Sequence, residues 1–378
     1  MSYVLVGENE YWVKDSLDAT GAQWRIAYSQ RGPGKSYQIK LEAITRWIER
    51  GEQFGLVRRN ENNLSIDKVS EYWDDMTDVF LEKAAPVYPS YESFVIVARS
   101  GKWTVYGVSE SGRRDSLGVI GYYFAVSTAQ RYKSGGSYPA VSFLVYEEFM
   151  SESHAYLPAE FDLFLSIVST VKRRKKNFVI YMLGNTVDMN CPLLEAMGID
   201  VRKIAPGDIK MFTYYGGSTG DVKNTVAVEY IRAVRQSADS KSFFIFNRQQ
   251  ENMIINGEWL TGDYPVFEKT EFWTLGVPDL CAVLDRRNIK LYFYFFFQKK
   301  EKIPVLYVSP ERLGNRFRYI FITAATDVRR QQFGFSSQLE VVRRLKDLTR
   351  FCILNRSVKF LNNLAGADFD DLMRWWNV

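Results

Sequence analysis

The chain has 378 residues with 46% hydrophobic and 25% charged side chains, an ordinary globular composition that excludes a collagen-like or wholly disordered protein. At roughly 150 residues per domain this length predicts two domains or slightly more. Lysine and arginine number 49 against 44 acids, a net charge of +5, which permits a polyanionic partner without establishing one. The three cysteines, Cys191, Cys281 and Cys352, lie far apart, so a disulfide framework is not expected and a reducing compartment fits. One histidine, His154, removes histidine-triad and multi-histidine metal chemistry. The first residues carry acids and lack an apolar stretch of signal length, and the strongest apolar run, Ile289 to Phe297, is too short to span a bilayer.

In chain order, short apolar runs predict strands at Trp24–Tyr28, Gln53–Val57, Phe94–Ala98, Thr104–Val108, Val119–Ala125, Val141–Tyr146 and Phe178–Leu183. Amphipathic stretches between several of them predict helices over a parallel sheet. One runs from Lys35 to Arg50 and stops at Gly51, a left-handed cap position; another begins near Pro158 with Phe161, Phe164, Leu165 and Val168 on one face. The glycine- and serine-rich stretches at Lys133–Ser137 and Gly216–Gly220 read as loops, the second as a domain boundary. Beyond Asn224, β-type runs at Ser242–Phe246, Asn252–Ile255, Leu280–Leu284, Ile289–Phe297, Val305–Val308 and Tyr319–Ile322 predict a mainly antiparallel sheet. Arg286, Arg287 and Asn288 form a tight connection in it, and helices at Ser337–Arg350 and over the last dozen residues close it. The expected organisation is an α/β P-loop NTPase domain with a mainly parallel sheet over residues 1–200, a linker or lid over 201–224, and a smaller α+β domain over 225–378.

The chemistry concentrates first in WRIAYSQRGPGKSYQIK, residues 24–40, where a strand runs through Arg31, Gly32, Pro33, Gly34, Lys35, Ser36 and Tyr37 into a helix. Glycines let backbone amides approach phosphates, the helix start adds a positive dipole, Lys35 reaches the β and γ phosphates of ATP and Ser36 can hold Mg²⁺. The pattern departs from the usual one at its first position, Ser29. A later apolar strand ending in acids is then expected, and VSFLVYEEF, residues 141–149, supplies Glu147 for the metal and Glu148 to activate water. Adjacent strand residues point to opposite faces, so both serve one site only if the strand ends there. The run TVKRRKK, residues 170–176, offers a basic residue able to reach a neighbouring subunit's γ-phosphate, and the next strand ends at Gly184, Asn185 and Thr186, where a polar residue can sense that phosphate. Tyr11 and Trp12, ahead of the loop, are candidates for stacking adenine.

In order, QRGPGKSY, GEQFGLVRR, SYPAVSFLVYEEF, the basic run and LGNT resemble the DNA-packaging ATPases of small tailed phages of the φ29 type, over about Gln23 to Asn190. The resemblance implies an ASCE-type P-loop motor and a ribonuclease-H-like second domain lacking the nuclease acid cluster. It implies a homo-oligomeric ring, usually a pentamer, in the host cytoplasm. That ring docks on the portal or connector protein at the portal vertex of an empty capsid, in some cases with a structural RNA, and drives double-stranded DNA inward. Carried onto this sequence, it makes Lys35 and Ser36 the phosphate and Mg²⁺ contacts, Glu147 the metal-associated acid, Glu148 the catalytic base, Arg173 the trans-acting arginine and Asn185 the coupling residue. Arg174 and Lys175 stand one and two positions from that arginine. Arg58 and Arg59 are candidates for DNA contact. Two alternatives stay open: a terminase with a working metal-dependent nuclease built on acids such as Asp285, Asp327, Asp368, Asp370 and Asp371, and a non-hydrolysing nucleotide-binding scaffold. In the second half, Arg286, Arg287, Lys290, Lys299, Lys300, Lys302, Arg312, Arg316, Arg318, Arg329, Arg330, Arg343 and Arg344 together point to a polyanion.

Overall fold

The structure, a computed structural model, describes residues 2–133, 136–152, 155–216, 221–234, 264–286, 289–297, 303–314, 317, 319–322, 338–376 and 378. The chain forms two compact units, Met1–Leu260 and Thr261–Val378.

The first unit opens with an antiparallel pair, β1 (Tyr3–Val6) and β2 (Asn9–Trp12), and a single-turn helix, α1 (Asp15–Asp18). Strand β3 (Trp24–Ser29) is buried at every residue, which its apolar sequence requires of a central strand with both faces covered. It turns through residues 30–34 into α2 (Lys35–Arg50), where Ile39, Ala43, Ile44 and Trp47 form the inward stripe and Gly51 ends the helix at φ +64°. There follow β4 (Gln53–Arg58), α3 (Ile66–Ser70), α4 (Thr77–Ala84), the meander β5 (Ser93–Arg99), β6 (Lys102–Val108) and β7 (Arg114–Ala125), then β8 (Val141–Glu147). Helix α5 (Glu160–Lys172), β9 (Val179–Asn185), α6 (Pro192–Ala196) and the ribbon β10 (Ile209–Gly216) and β11 (Asp221–Tyr230) complete the described part of this unit.

These strands build one nine-stranded sheet in the order β10-β11-β3-β9-β8-β4-β7-β6-β5. The six from β11 to β7 are mutually parallel, with antiparallel neighbours at both edges. Two apolar cores cover its faces, one built with α5 and α6 and the other with α1, α2 and α4. The predicted strands and the long helix are present with boundaries shifted by a few residues at most. The inward face of α5 is Phe164, Ile167, Val168 and Val171; Phe161 and Leu165 are only half-buried.

Three sequence expectations are revised. Residues 201–224 are not a linker: half of them lie in β10 and β11, and β11 pairs with β3, the strand ahead of the glycine loop. The division between units falls at 260/261 rather than 224/225, and Gly216 is paired with Asp221 in a hairpin register, so the glycine-rich stretch joins two strands of one sheet. Strands β5 to β7 are antiparallel to one another, because the turns between them are too short for the crossover that a parallel pair needs.

In the second unit, α7 (Lys269–Thr274) precedes β12 (Leu280–Arg286), β13 (Ile289–Phe296), β14 (Val305–Ser309), β15 (Ile320–Ile322), α8 (Gln338–Leu354), β16 (Val358–Phe360) and α9 (Asn363–Trp376). Its sheet runs β15-β12-β13-β14-β16, with two antiparallel pairings and two parallel ones, so it is mixed rather than mainly antiparallel. The predicted strands at 242–246 and 252–255 lie outside the described residues, as do His154, Arg287, Asn288, Asp327 and the start of the helix expected at Ser337. All three cysteines are unpaired and buried. Among the described residues no helix is long and apolar enough to cross a membrane.

Strand β11 buries a titratable group, Glu229, whose Oε2 has no hydrogen-bond partner among the described residues. Burial pushes its carboxyl up to about 7. A raised acid favours the protonated form in the fold, so the penalty is absent below the ordinary carboxyl range and fully present above pH 7, where it amounts to about 3 kcal/mol. The expected outcome for Glu229→Gln is a higher unfolding midpoint than the parent at pH 8 and equal midpoints near pH 4.5, read by urea titration at both values.

Candidate functional site

Four parallel strands, β3, β9, β8 and β4, end along one edge of the sheet, the edge where open α/β sheets hold their ligands. The loop after β3 wraps the start of α2 there. Gly32 and Gly34 have φ of +89° and +91°, a region that L side chains rarely adopt, which is what these two glycines are for. The amide of Trp12 donates to the Pro33 carbonyl at 2.9 Å, so the β2 strand braces the loop from outside. Around it lies a cavity of about 330 Å³ lined by Arg31, Gly32, Pro33, Gly34, Lys35, Ser36, Tyr37, Arg58, Glu147, Glu148, Leu183, Gly184 and Asn185. Of the residues expected to bind or act on nucleotide or to contact DNA, Arg59, Arg173 and the adenine candidates Tyr11 and Trp12 are not in this lining, and the others are.

Lys35 is buried, and its Nζ donates to Ser29 Oγ at 2.6 Å, to the Gln30 carbonyl at 3.0 Å and to Asn185 Oδ1 at 3.1 Å. Burial pushes this ammonium down to about 7, opposed by the nearby Glu147 charge and assisted by Arg31. Ser29, the departure from the usual loop pattern, thus supplies a lysine acceptor. Asn185, at the end of β9, touches the same lysine.

Strand β8 ends at Glu147, and Glu148 follows with φ +56°, which breaks the strand alternation and lets both carboxylates line one cavity. Arg58 holds the pair, with Nη2 2.7 Å from Glu147 Oε2 and Nη1 2.7 Å from Glu148 Oε2. Burial opposes the Arg58 charge, and the two carboxylates outweigh it, holding the guanidinium above its usual range. Glu147 is buried and its Oε1 has no partner among the described residues, whereas the Glu148 side chain is 65% exposed.

Neither of the expected DNA-contact arginines has a free side chain. Arg58 bridges the two acids, and Arg59 donates to Glu160 at 2.9 Å and to the Phe149 carbonyl at 2.6 Å, tying the end of β8 to α5. The signal for Arg58 was tertiary: β4 lies beside β8 with Val57 opposite Tyr146, which carries Arg58 to the acids. Of the adenine candidates, Trp12 is fully buried in the core, while Tyr11 packs over Gly34.

Arg173 caps α5 with φ +43°, and its guanidinium donates to the Gly136 carbonyl at 2.7 Å. This places it beside the start of β8, since Lys175 next to it bonds the carbonyls of Tyr138 and Val141. The carboxylates stand at the other end of that seven-residue strand, about 20 Å away. Lys175 also bonds the Val171 carbonyl and is pushed down to about 8 by burial and by Arg173, so its amine is committed inside the fold.

In the second unit the described acids do not converge. Asp285 lies 3.6 Å from Lys290, Asp370 accepts from Tyr264 at 2.6 Å and Asp371 pairs with Arg374 at 2.8 Å. Among the described residues no three His, Cys, Asp or Glu side chains group as a metal site. Of the basic set, Arg287, Lys299, Lys300, Lys302, Arg316, Arg318, Arg329 and Arg330 lie outside the described residues. Lys290 and Arg344 are ion-paired, and Arg286 and Arg312 stack over Trp375 and Tyr319.

Residues 23–203 match the sequence model of the family described as podovirus DNA encapsidation protein (Gp16). The DNA packaging protein of Bacillus phage B103 is 31% identical over 177 residues, covering 46% of this chain and 48% of that protein. The DNA packaging protein of Bacillus phage phi29 is 32% identical over 164 residues, covering 43% and 42%. The chain thus matches somewhat under half the length of these curated relatives. A chain of the bacteriophage Phi-29 viral genome packaging motor assembly superposes on 97% of this chain and 99% of its own, with a TM-score of 0.52 and 17% identity, a likeness of fold. The resemblance drawn from the loop, the acids and the basic run therefore holds where those motifs lie.

The Arg59 contacts predict a structural role for that side chain. Glu160 is buried, and removing its cation leaves an unpaired charge that costs roughly 3–5 kcal/mol. Arg59→Ala should lower the unfolding free energy read by urea titration by that amount, and a double Arg59→Met, Glu160→Met variant should recover much of it.

Proposed function

We propose that this chain is the ATPase of a phage genome-packaging motor, which hydrolyses ATP at subunit interfaces to drive double-stranded DNA through a portal into an empty capsid. The observation that carries the reading is the convergence of Lys35, Glu147, Glu148 and Asn185 on one cavity of about 330 Å³ at the ends of four parallel strands. The acid strand β8 is separated from the loop strand β3 by β9, the arrangement expected of an ASCE-type P-loop ATPase. The names of the relatives supply the DNA-packaging context.

Loop amides and Lys35 bind the β and γ phosphates, with Arg31 and Tyr37 at the rim. An oxygen-only donor set, Ser36 and Glu147 with its unpartnered Oε1, fits Mg²⁺ arriving with the nucleotide. When bound, that ion neutralises charge on the transferring phosphoryl group. Glu148 takes a proton from the attacking water once it leaves Arg58, and Asn185 carries the state of the phosphate, through its contact with Lys35, into β9. Arg173, a strand length from its own carboxylates, acts on a neighbour's nucleotide. A ring, read as a pentamer, follows from that trans role and would dock on the portal protein in the host cytoplasm, with or without a structural RNA. The second unit is read as a ribonuclease-H-like frame, supported by three consecutive antiparallel strands with a fourth parallel to the first. A working nuclease there is not favoured, since its described acids are engaged elsewhere.

ATP turnover measured across protein concentration, with and without duplex DNA, tests this. Turnover should rise with both. Lys35→Ala should abolish it, Glu148→Gln should lower it about 10²- to 10⁴-fold while retaining nucleotide binding, and Arg173→Ala should lower only the assembly-dependent rate, by roughly 10³-fold or more, and poison mixed assemblies. Turnover indifferent to DNA and concentration would remove the motor, and absence of any turnover would favour the scaffold alternative.

A further inference from the structure

The meander β5 to β7 leaves one face open. Along β6, Trp103, Val105 and Gly107 are buried against the core, so Lys102, Thr104 and Tyr106 turn the opposite way. On that side lies a groove of about 680 Å³ whose lining includes Arg99, Lys102 and Arg114 with the hydroxyls of Thr104, Tyr106 and Ser116, and no acid. The nearby Asp115 is turned elsewhere, accepting from Arg113 at 3.0 Å and Tyr91 at 3.5 Å. None of the three cations has a side-chain hydrogen bond or ion pair among the described residues.

Two of them oppose each other directly: Arg99 is the cross-strand partner of Lys102 across the Ser100–Gly101 turn. Like charges in that register destabilise a hairpin, so the pair has a physical use only where an anion lies between or above them. Arg114 sits opposite Val108, six residues farther along β6, which spreads the cations over about 20 Å. A discrete phosphate ligand needs converging donors. A line of cations and hydroxyls on a sheet surface suits a repeating anion, because such donors contact backbone phosphates without reading sequence.

We infer that this face binds the sugar-phosphate backbone of duplex DNA. The inference rests on the packaging reading above, which names the polyanion, and it supplies the free cations that Arg58 and Arg59 do not. It lies at the sheet edge away from β3 and involves none of the nucleotide-site residues.

The test is binding of a fluorescent duplex of about 30 base pairs by full-length protein and by the Arg99→Gln, Lys102→Gln, Arg114→Gln triple variant, between 50 and 200 mM salt. Loss of three phosphate contacts should make the slope of log affinity against log salt shallower by about 2.7 and weaken binding at least tenfold at the lower salt. ATP binding and melting temperature, measured alongside, should match the parent, since all three side chains are exposed. Unchanged slope and affinity in a folded variant would overturn the surface while leaving the motor reading intact. A parent that prefers an RNA duplex of the same sequence, with that preference lost in the variant, would overturn the choice of DNA. A parent that binds no duplex at any salt would sink the packaging reading and this surface with it.

Discussion

The candidate nucleotide cavity is organised by a buried ammonium that, among the described residues, has no carboxylate in contact with it. Lys35 donates only to neutral oxygens, of Ser29, Gln30 and Asn185, while the acid nearest in charge, Glu147, is taken by Arg58. A buried cation so arranged is expensive, and its lowered pKa is the same cost seen in protonation. Phosphate oxygens are the partners that would offset it. On the reading proposed above, the loop glycines, the helix start and the strand ends bring such oxygens to Nζ.

Arg58 solves the complementary problem. Two adjacent carboxylates at the end of a buried strand repel each other, and the buried one, Glu147, also loses hydration; one guanidinium between them satisfies an oxygen of each. Glu148, in a left-handed backbone conformation, rests on Arg58 through one exposed ion pair. The exposed position of Glu148 and the buried one of Glu147 divide the labour: the first has room to move, the second does not.

How much of this was legible in the sequence follows from how local each feature is. The glycine loop, α2 with its Gly51 cap, and the acidic end of β8 are encoded in contiguous residues and could be read directly. The Arg58 bridge could not, because its partners lie 89 and 90 positions away and meet it only through the β4–β8 pairing. The glycine- and serine-rich stretch after β10 misled for a related reason: turn residues mark a reversal of chain direction and carry no information on whether the next strand joins the same sheet. The apolar runs of β5 and β6 likewise fit a parallel or an antiparallel neighbour equally well, and only the length of the connecting turns decides.

The basic run shows the opposite case, in which geometry sorts residues that the sequence leaves equivalent. Lys175 spends its amine on three backbone carbonyls and stabilises the junction between α5 and β8, so it is not available to a second chain. Arg173 and Arg174 are exposed at that junction, with Arg173 held in a strained backbone conformation by the helix end. The strand β8 between them and the carboxylates is rigid and buried, and its length is set by the core that packs on it. No rotamer of an arginine crosses that span, so a cation supplied from position 173 acts on another chain's nucleotide or on none. On the motor reading proposed above, the site is completed only by assembly, and the spacing that requires this is the length of one strand.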